Sequence, residues 1–469
     1  MIAAPRRIPE GPVHFVGICG AGQSALAWLM ASEGRRVTGS DRGCLASVRA
    51  RLSRQGVVVH DCHDAALVVG AVAVIATDAV DESNPEISEA RRLGIPVFRR
   101  PEALASLCYG RQVIAIAGTH GKTTTTGMVA KVLIDAGLDP TVVVGGEYPF
   151  LDGGNARAGE SDWMVVEACE AYGGLEWLTP TISVVTSMDP DHLDFHGTEA
   201  AVREAYCRFA RRTVPGGTVV WCADDAAARE RMAVLDDVRA DRVPYGVSVA
   251  SNLLGARIEG VVGDGVRFQV ADPDWWEPAT IHLGVPGRHN VANALAAWAV
   301  GRAAGISPSR IVGALDGFMP AGRRFERLGE RDGILVIDDY AHHPAEVRAT
   351  LCAARSAFPT RRIVAVFQPH LPSRTKAFLD DFAEALAGAD RIYLTDIYLA
   401  REPASPETTS EHLGRRIVGP PVVVAESFEC LLGLLRRELV PGDVLLVLGA
   451  GDIRSVGERF VLEAGVEVP

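Results

Sequence analysis

The sequence predicts an α/β chain built as three domains, and three observations carry that reading. At 469 residues the chain is too long for a single hydrophobic core, since a domain takes roughly 150 residues. Apolar strand-like runs alternate with helical stretches in three successive blocks, the pattern of parallel sheets with crossover helices. The first two blocks each open with an apolar strand that runs into a glycine-rich turn and then a helix.

The first block, residues 1–108, starts with VHFVGI (13–18) as a buried strand. A glycine-rich turn, a helix from about Ser24 to Glu33 and a second strand ending near Asp41 complete a βαβ opening. VAVIAT (72–77) and a helix ending at Gly94 before IPVF continue the alternation, so this domain is expected to be Rossmann-like. The second block, 109–320, opens with QVIAIAG running into THGK and a threonine-rich helix start, with further strands at TVVVGG, WMVVEA and ISVVTS. Between 256 and 284 the chain turns strand-rich, with a hairpin expected at Asp264–Gly265. A central P-loop-type ATPase domain with a mixed sheet follows from this, closed by a helix from about Asn290 to Ala304 and another near Ile311. The third block, 321–469, resumes the alternation with ILVIDDY, RIVAVFQ, RIYLTD, PVVVAE and DVLLVLG, a second Rossmann-like domain. Residues 401–410 have the Pro, Ser and Thr content of an exposed loop.

Composition narrows the function. With 48% hydrophobic and 23% charged residues the chain has ordinary globular content, and no apolar run reaches the roughly 20 residues that span a bilayer. A formal net charge of −12 argues against a nucleic-acid binder, which needs a basic face to displace phosphate counterions. The N-terminal stretch lacks the apolar core of a signal peptide, and the nine cysteines show no Cys-x-x-Cys and no disulfide-like spacing. A cytoplasmic protein is expected. Only Lys122, Lys131 and Lys376 supply lysine, so a lysine inside a phosphate-type loop draws notice.

That loop is Gly118-Thr119-His120-Gly121-Lys122-Thr123, set between an apolar strand and a helix. Backbone N–H groups and the helix N-terminus suit a phosphate, the lysine adds a point charge, and the threonine hydroxyl suits Mg²⁺. Glu167 ends one apolar strand and His192 follows another, which puts both at the carboxyl edge of a parallel sheet beside the loop. A carboxylate, an imidazole and a hydroxyl form an open divalent-cation site that phosphate oxygens and waters complete. Upstream, Gly17-x-x-Gly20-x-Gly22 with Asp41 forms a turn able to cradle a pyrophosphate. His289 and Asn293, four apart at a helix start, share a face.

The motif AGTHGKTTTT resembles the ATP loop of the Mur ligases, which build the peptide of bacterial cell-wall precursors. The resemblance runs over nearly the whole chain through EACE (167–170), DPDHLD (189–194), GRHNVANA (287–294), GRRFE (322–326), DDYAHHP (338–344), FQPHLPSRT (367–375) and LGAGDI (448–453), in the family's order. It implies an ATP-dependent, ADP-forming ligase. ATP would be held by Gly118, Thr119, His120, Gly121, Lys122, Thr123, Thr124, His289, Asn293, Arg324 and Asp339, and Mg²⁺ or Mn²⁺ by Thr123, Glu167 and His192. The first domain would take a UDP-sugar on Gly17, Gly20, Gly22 and Asp41, in place of a dinucleotide. Tyr340, His342, His370 and Arg374 would form an amino-acid pocket, with Lys122, His342 and Arg374 as the catalytic groups. No lysine lies between Lys131 and Lys376, so the carbamylated lysine of many later family members has no counterpart. That suits the branch joining L-alanine to UDP-N-acetylmuramic acid, as a monomer or homodimer.

Two departures from the family stand out. Cys19 occupies a position that is usually glycine, and Cys169 and Tyr172 occupy positions that commonly carry aspartate. Three other readings remain open on the sequence: a ligase that attaches a whole tripeptide to the same sugar nucleotide, a dinucleotide-dependent oxidoreductase suggested by the first turn, and a non-catalytic UDP-sugar binder.

Overall fold

The computed structural model describes residues 6–151, 154–248, 253–400 and 402–462, without the side chains of Tyr172, Asp194 and Trp276. The Tyr172 side chain, Arg401 of the 401–410 loop, and residues 1–5 and 463–469 of the outer expected domains therefore lie outside the described residues. Three sheets form, and the chain divides into two compact units. One unit runs to Ile258 and takes in Phe268–Ile281 and Val291–Met319; the other comprises Glu259–Arg267, His282–Asn290 and the chain from Pro320.

In the first unit, strands β1 (Val13–Val16), β2 (Val37–Ser40), β3 (Val58–His60), β4 (Ala73–Ala76) and β5 (Val97–Arg99) pair in the order β3-β2-β1-β4-β5. Every pairing is parallel. The order reverses at β1, so the crevice between the carboxyl ends of β1 and β4 is the natural ligand position of such a sheet. Strand β3 was not foreseen, because VVH is short and its first residue is exposed.

The second sheet holds β6 (Gln112–Ala117), β7 (Thr141–Val143), β8 (Ala156–Arg157), β9 (Trp163–Glu167), β10 (Ile182–Val185), β11 (Thr218–Cys222), β12 (Asp241–Gly246), β13 (Leu254–Val262), β14 (Gly265–Asp272) and β15 (Trp275–Leu283). Its order is β15-β14-β13-β12-β11-β10-β6-β9-β7-β8. The pairs β10–β6 and β6–β9 are parallel, whereas β7–β8 is antiparallel, so the sheet is mixed as expected. The expected hairpin lies one residue earlier, at Gly263–Asp264 between β13 and β14. Central strands β6 and β10 are apolar and buried on both faces, which is why they read as continuous hydrophobic runs.

The second unit contains β16 (Glu326–Arg331), β17 (Ile334–Asp339), β18 (Ile363–Phe367), β19 (Arg391–Leu394), β20 (Val422–Val424) and β21 (Val444–Leu448) in the order β16-β17-β21-β18-β19-β20. Two apolar clusters cover its faces, one around Phe367 and Phe382 and the other around Tyr393 and Phe460. The five expected strands are present, and β16 is an added antiparallel edge. Its sequence, ERLGER, is charged, partly exposed and bulged between Arg327 and Gly329, so no alternating pattern marked it.

The reading of nine cysteines without disulfide spacing is corrected by the structure. Cys19 and Cys44 are joined by a disulfide, with Cα atoms 5.2 Å apart. They follow β1 and β2, which are hydrogen-bonded neighbours, so the sheet closes a separation of 25 residues that no local spacing rule detects.

The helix after β6, Lys122–Asp135, carries four buried threonines and Gly127. A Cβ at Gly127 would overlap the ring of fully buried Tyr148, whose hydroxyl donates to the Thr123 carbonyl at 2.8 Å. Gly127→Ala should therefore destabilise the first unit by about 1–3 kcal/mol, the usual cost of overpacking. A fall in the urea midpoint of the transition reporting on that unit checks this; an unchanged midpoint would show that the ring moves freely.

Candidate active site

The Gly118–Gly121 loop takes its shape from two glycines at positive φ, +129° and +78°. At Gly118 a side chain would also collide with Thr186 and the Ser187 backbone. Gly121 caps the Lys122–Asp135 helix without any side-chain hydrogen bond, which leaves the helix N-terminus to a ligand. The loop is anchored on the segment after β10: Thr119 Oγ1 donates to the Asp189 carbonyl at 2.6 Å, and the His120 N–H donates to Ser187 Oγ at 2.9 Å. His120 Nε2 lies 3.2 Å from Asp189 Oδ2. Thr124 is buried in the first turn of the same helix.

Lys122 folds back across this loop. Its Nζ donates to the carbonyls of Gly118 (2.5 Å) and Thr119 (3.1 Å) and pairs with Glu170 Oε2 at 3.0 Å. Burial alone would lower the ammonium pKa, but the carboxylate of Glu170, foremost among the nearby charges, raises it above its ordinary value. Lys122 is therefore a permanent cation. Glu170 is only 1% exposed. Within EACE the sequence alone gives Glu170 no role; its one signal is an acidic residue three places after a strand-end glutamate.

Glu167 ends β9, the strand beside β6. Its Oε1 accepts from Thr123 Oγ1 at 3.1 Å and its Oε2 from the Gly145 N–H at 2.7 Å. His192 follows β10, β6's other neighbour, at φ +50°, and its Nε2 stands 4.0 Å from Glu170 Oε1. Loop, Glu167 and His192 thus emerge at one sheet edge. No group of three or more His, Cys, Asp or Glu side chains set for a metal ion occurs among the described residues. The Thr123–Glu167 oxygen pair nonetheless fits Mg²⁺: adjacent ligands of an octahedral ion at 2.0–2.1 Å are separated by roughly 3 Å.

Asn293 joins the same site. Its Oδ1 accepts from Thr125 Oγ1 at 3.2 Å and would stand 2.5 Å from a Cβ at Gly121. His289 belongs to the second unit, where it is exposed and lies against Gly287.

At the end of β1, Gly17 (φ +76°) and Ile18 donate their N–H groups to the Ser40 carbonyl at 2.8 and 3.1 Å. Gly20 caps the helix Ala21–Ser32 with no side-chain hydrogen bond. Asp41 accepts from the N–H of Cys19 through one oxygen and from the N–H of Gly43 through the other, both at 2.9 Å, so it shapes the turn. A Cβ at Gly22 would approach Arg100 Cδ to 2.8 Å, which brings to the turn a cation that the sequence did not flag.

In the second unit, Asp339 ends β17 and accepts from the N–H groups of Phe325 and Ala341, each at 2.8 Å. Burial pushes its carboxyl up to about 6, against the opposing charge of Arg324. Arg323 and Arg324 lie over the Tyr340 ring, 4.8 and 5.4 Å from its centroid. His342 Nδ1 lies 2.8 Å from the Tyr340 carbonyl. That carbonyl only accepts, so Nδ1 carries the proton and Nε2 is the basic nitrogen of the neutral ring. Arg374 Nη1 is 3.2 Å from His370 Nδ1. His343 is structural: its ring and Glu346 cap the helix Pro344–Ala357.

Comparison with known proteins places these features in a family. Residues 12–112 match the Mur ligase family catalytic domain, 116–301 the Mur ligase middle domain and 323–451 the Mur ligase glutamate ligase domain. UDP-N-acetylmuramate–L-alanine ligases of Nitratidesulfovibrio vulgaris and Acidithiobacillus ferrooxidans are each 42% identical, covering 96% of this chain and 98% and 97% of theirs. The structure is similar to that of a UDP-N-acetylmuramate-alanine ligase from Thermotoga maritima (TM-score 0.80, 30% identity, 96% and 98% coverage). A murein peptide ligase from Psychrobacter arcticus shares the fold at a TM-score of 0.71 and 23% identity, with the same coverage. This chain belongs to the Mur ligase family, with that family's three-domain α/β fold.

Proposed function

We propose that the chain is an ATP-dependent, ADP-forming ligase that joins L-alanine to the lactyl carboxylate of UDP-N-acetylmuramic acid. One observation carries this most directly: curated L-alanine ligases align with 96% of its length at 42% identity. The substrate domains are assigned as 1–108 for the UDP-sugar, 109–320 for ATP and 321–469 for the amino acid. The cytoplasm, where ATP and sugar nucleotides are made, is the expected place of action; among the described residues no helix is long and apolar enough to cross a membrane.

The lactyl carboxylate attacks the γ-phosphorus of ATP and expels ADP; the amine of L-alanine then attacks the acyl phosphate, and phosphate leaves. Phosphoryl transfer of this kind depends on positioning and charge neutralisation. The loop Gly118, Thr119, His120 and Gly121 leads the phosphates to the N-terminus of the Lys122–Asp135 helix, and Lys122 neutralises the transferring group, with Thr124 and Asn293 flanking. Thr123, Glu167 and His192 would hold a Mg²⁺ or Mn²⁺ ion, which when bound would supply further charge neutralisation. His289, Arg324 and Asp339, which belong to the second unit, are assigned to ATP by the family resemblance. The sugar nucleotide's pyrophosphate rests on the Gly17, Gly20 and Gly22 turn, which Asp41 keeps in shape.

Arg374 takes the α-carboxylate of the amino acid through its fork. Nε2 of His342 accepts the proton that the ammonium group must lose before attack. Tyr340 and His370 hold these two groups in place through the contacts described above.

Two outcomes test this reading. Lys122→Ala should cut alanine-dependent ADP release by about 10²–10³-fold, the cost of removing one main charge stabiliser, in a variant shown by circular dichroism to be folded at the assay temperature, although the loss of the partner of buried Glu170 lowers its melting temperature; substantial turnover would refute the loop assignment. In competition among L-alanine, other amino acids and the L-alanyl-γ-D-glutamyl-meso-diaminopimelate tripeptide, L-alanine should be consumed first. Preferred consumption of the tripeptide would instead assign the chain to the recycling branch.

A further inference from the structure

Four rings stand in a row in the second unit. Tyr340 meets His342 edge-on at 5.3 Å, His342 meets His370 edge-on at 5.7 Å, and His370 stacks on Tyr398 at 5.7 Å and 17°. The first three belong to the proposed amino-acid pocket, whereas nothing so far has given Tyr398 a role. Its position is fixed by backbone: its N–H donates to the Pro369 carbonyl at 2.8 Å, and its carbonyl accepts from the Leu371 N–H at 3.0 Å. Leu371 itself is held at φ +67°, a conformation that costs a branched side chain energy and persists only where the surroundings impose it. Leu371 is part of the turn that carries His370 and Arg374, so the strained residue and the functional pair are held by one bridge. On its other side the ring abuts Gly451, where a Cβ would come within 2.6 Å of Tyr398 Cγ.

A flat ring stacked on the imidazole of the arginine–histidine pair, backed by a glycine and 37% exposed, forms a rigid wall. We propose that Tyr398 is the specificity-determining residue of the amino-acid pocket, limiting the acceptor's side chain to about the size of a methyl group. This rests on the placement of the amino acid at His370 and Arg374. Excluding one methylene by such a wall discriminates by roughly 10–200-fold.

The test measures kcat/KM for L-alanine and L-2-aminobutyrate. In Tyr398→Ala the 2-aminobutyrate to alanine ratio should rise at least about tenfold, and Tyr398→Phe, which keeps the stack, should keep the wild-type ratio. If Tyr398→Ala fails to fold, Tyr398→Leu, which keeps bulk but removes the flat face, should raise the ratio in the same direction. An unchanged ratio in the folded variant overturns the proposal. Arg374→Ala measured alongside separates the two levels: an unchanged KM for L-alanine there would mean that the pocket itself lies elsewhere.

The Cys19–Cys44 disulfide carries a second, independent inference. It ties the turn after β1 to the loop after β2, both sulfurs belong to half-exposed residues, and the other seven cysteines are free. In a compartment that keeps thiols reduced, an isolated accessible disulfide is a sensing one. We infer that this pair is a reversible modification site for low-molecular-weight disulfides such as glutathione disulfide. One protein thiolate attacks the reagent, the second displaces it from the mixed disulfide, and two small thiols leave with the protons and electrons. The oxidised form preorganises the sugar-nucleotide turn. Full reduction, verified by a two-hydrogen mass gain, should raise the KM for the UDP-sugar about fivefold and leave that for ATP unchanged; Cys44→Ser should abolish the response. Equal KM values in verified oxidised and reduced enzyme overturn it, as does failure of glutathione disulfide to form the bond.

Discussion

The ion pair between Lys122 and Glu170 is the interaction on which the central site depends. It joins the turn after β6 to the segment after β9 across a sheet edge, with the carboxylate only 1% exposed. A lone ammonium or a lone carboxylate in that position would carry a heavy desolvation cost; paired, they keep a charged lysine at the place proposed for the phosphates. Neutral Lys122 would be useless for that task, and Glu170 holds the ammonium firmly protonated. The surrounding groups follow from this. His192 lies 4.0 Å from the same carboxylate, the His196 ring lies 3.0 Å from the Glu170 carbonyl, and the Glu170 charge adds to burial in raising the Tyr206 hydroxyl's pKa.

Several strained backbone positions lie at or beside residues given a proposed function. Among the described residues only a few non-glycine positions have positive φ, and they include His192, Arg323, Phe325 and Leu371. Each costs energy that the local framework must overcome. His192 precedes the short Leu193–His196 helix, whose amides bond back to its carbonyl. Arg323 and Phe325 are held by Glu326 and Asp339, which accept their N–H groups at 2.6 and 2.8 Å. Leu371 is held by the Tyr398 carbonyl. In each case a hydrogen bond to a residue distant in sequence or a capped turn fixes the backbone, so the side chains are aimed before any substrate arrives.

Much of this was legible in the sequence. Buried parallel strands have to be apolar on both faces, so β1, β6, β10, β17 and β21 announce themselves, and the glycine-lysine loop is marked by its place between an apolar strand and a helix and by its rare lysine. Charged or very short edge strands such as β16 and β3 carry no such pattern, since one side of each faces solvent. The proposed site residues were legible where they end an apolar strand, as Glu167 does. Glu170, Arg100 and Tyr398 were not, because their importance comes from what lies opposite them in space, and the Cys19–Cys44 pair was missed for the same reason.

The contacts of Lys122 also constrain how a nucleotide would enter the proposed site. The ammonium donors are directed at the Gly118 and Thr119 carbonyls and at Glu170. An incoming phosphate must compete with two carbonyls and a buried carboxylate for the same ammonium. It gains on both counts only if it can approach without displacing Glu170, because a buried carboxylate stripped of its cation costs several kcal/mol. The economical arrangement leaves the Lys122–Glu170 pair intact and exchanges the two neutral carbonyl contacts for phosphate oxygens. On that account Glu170 acts as a hinge pin for the lysine, setting the direction of its remaining donors toward the N-terminus of the Lys122–Asp135 helix.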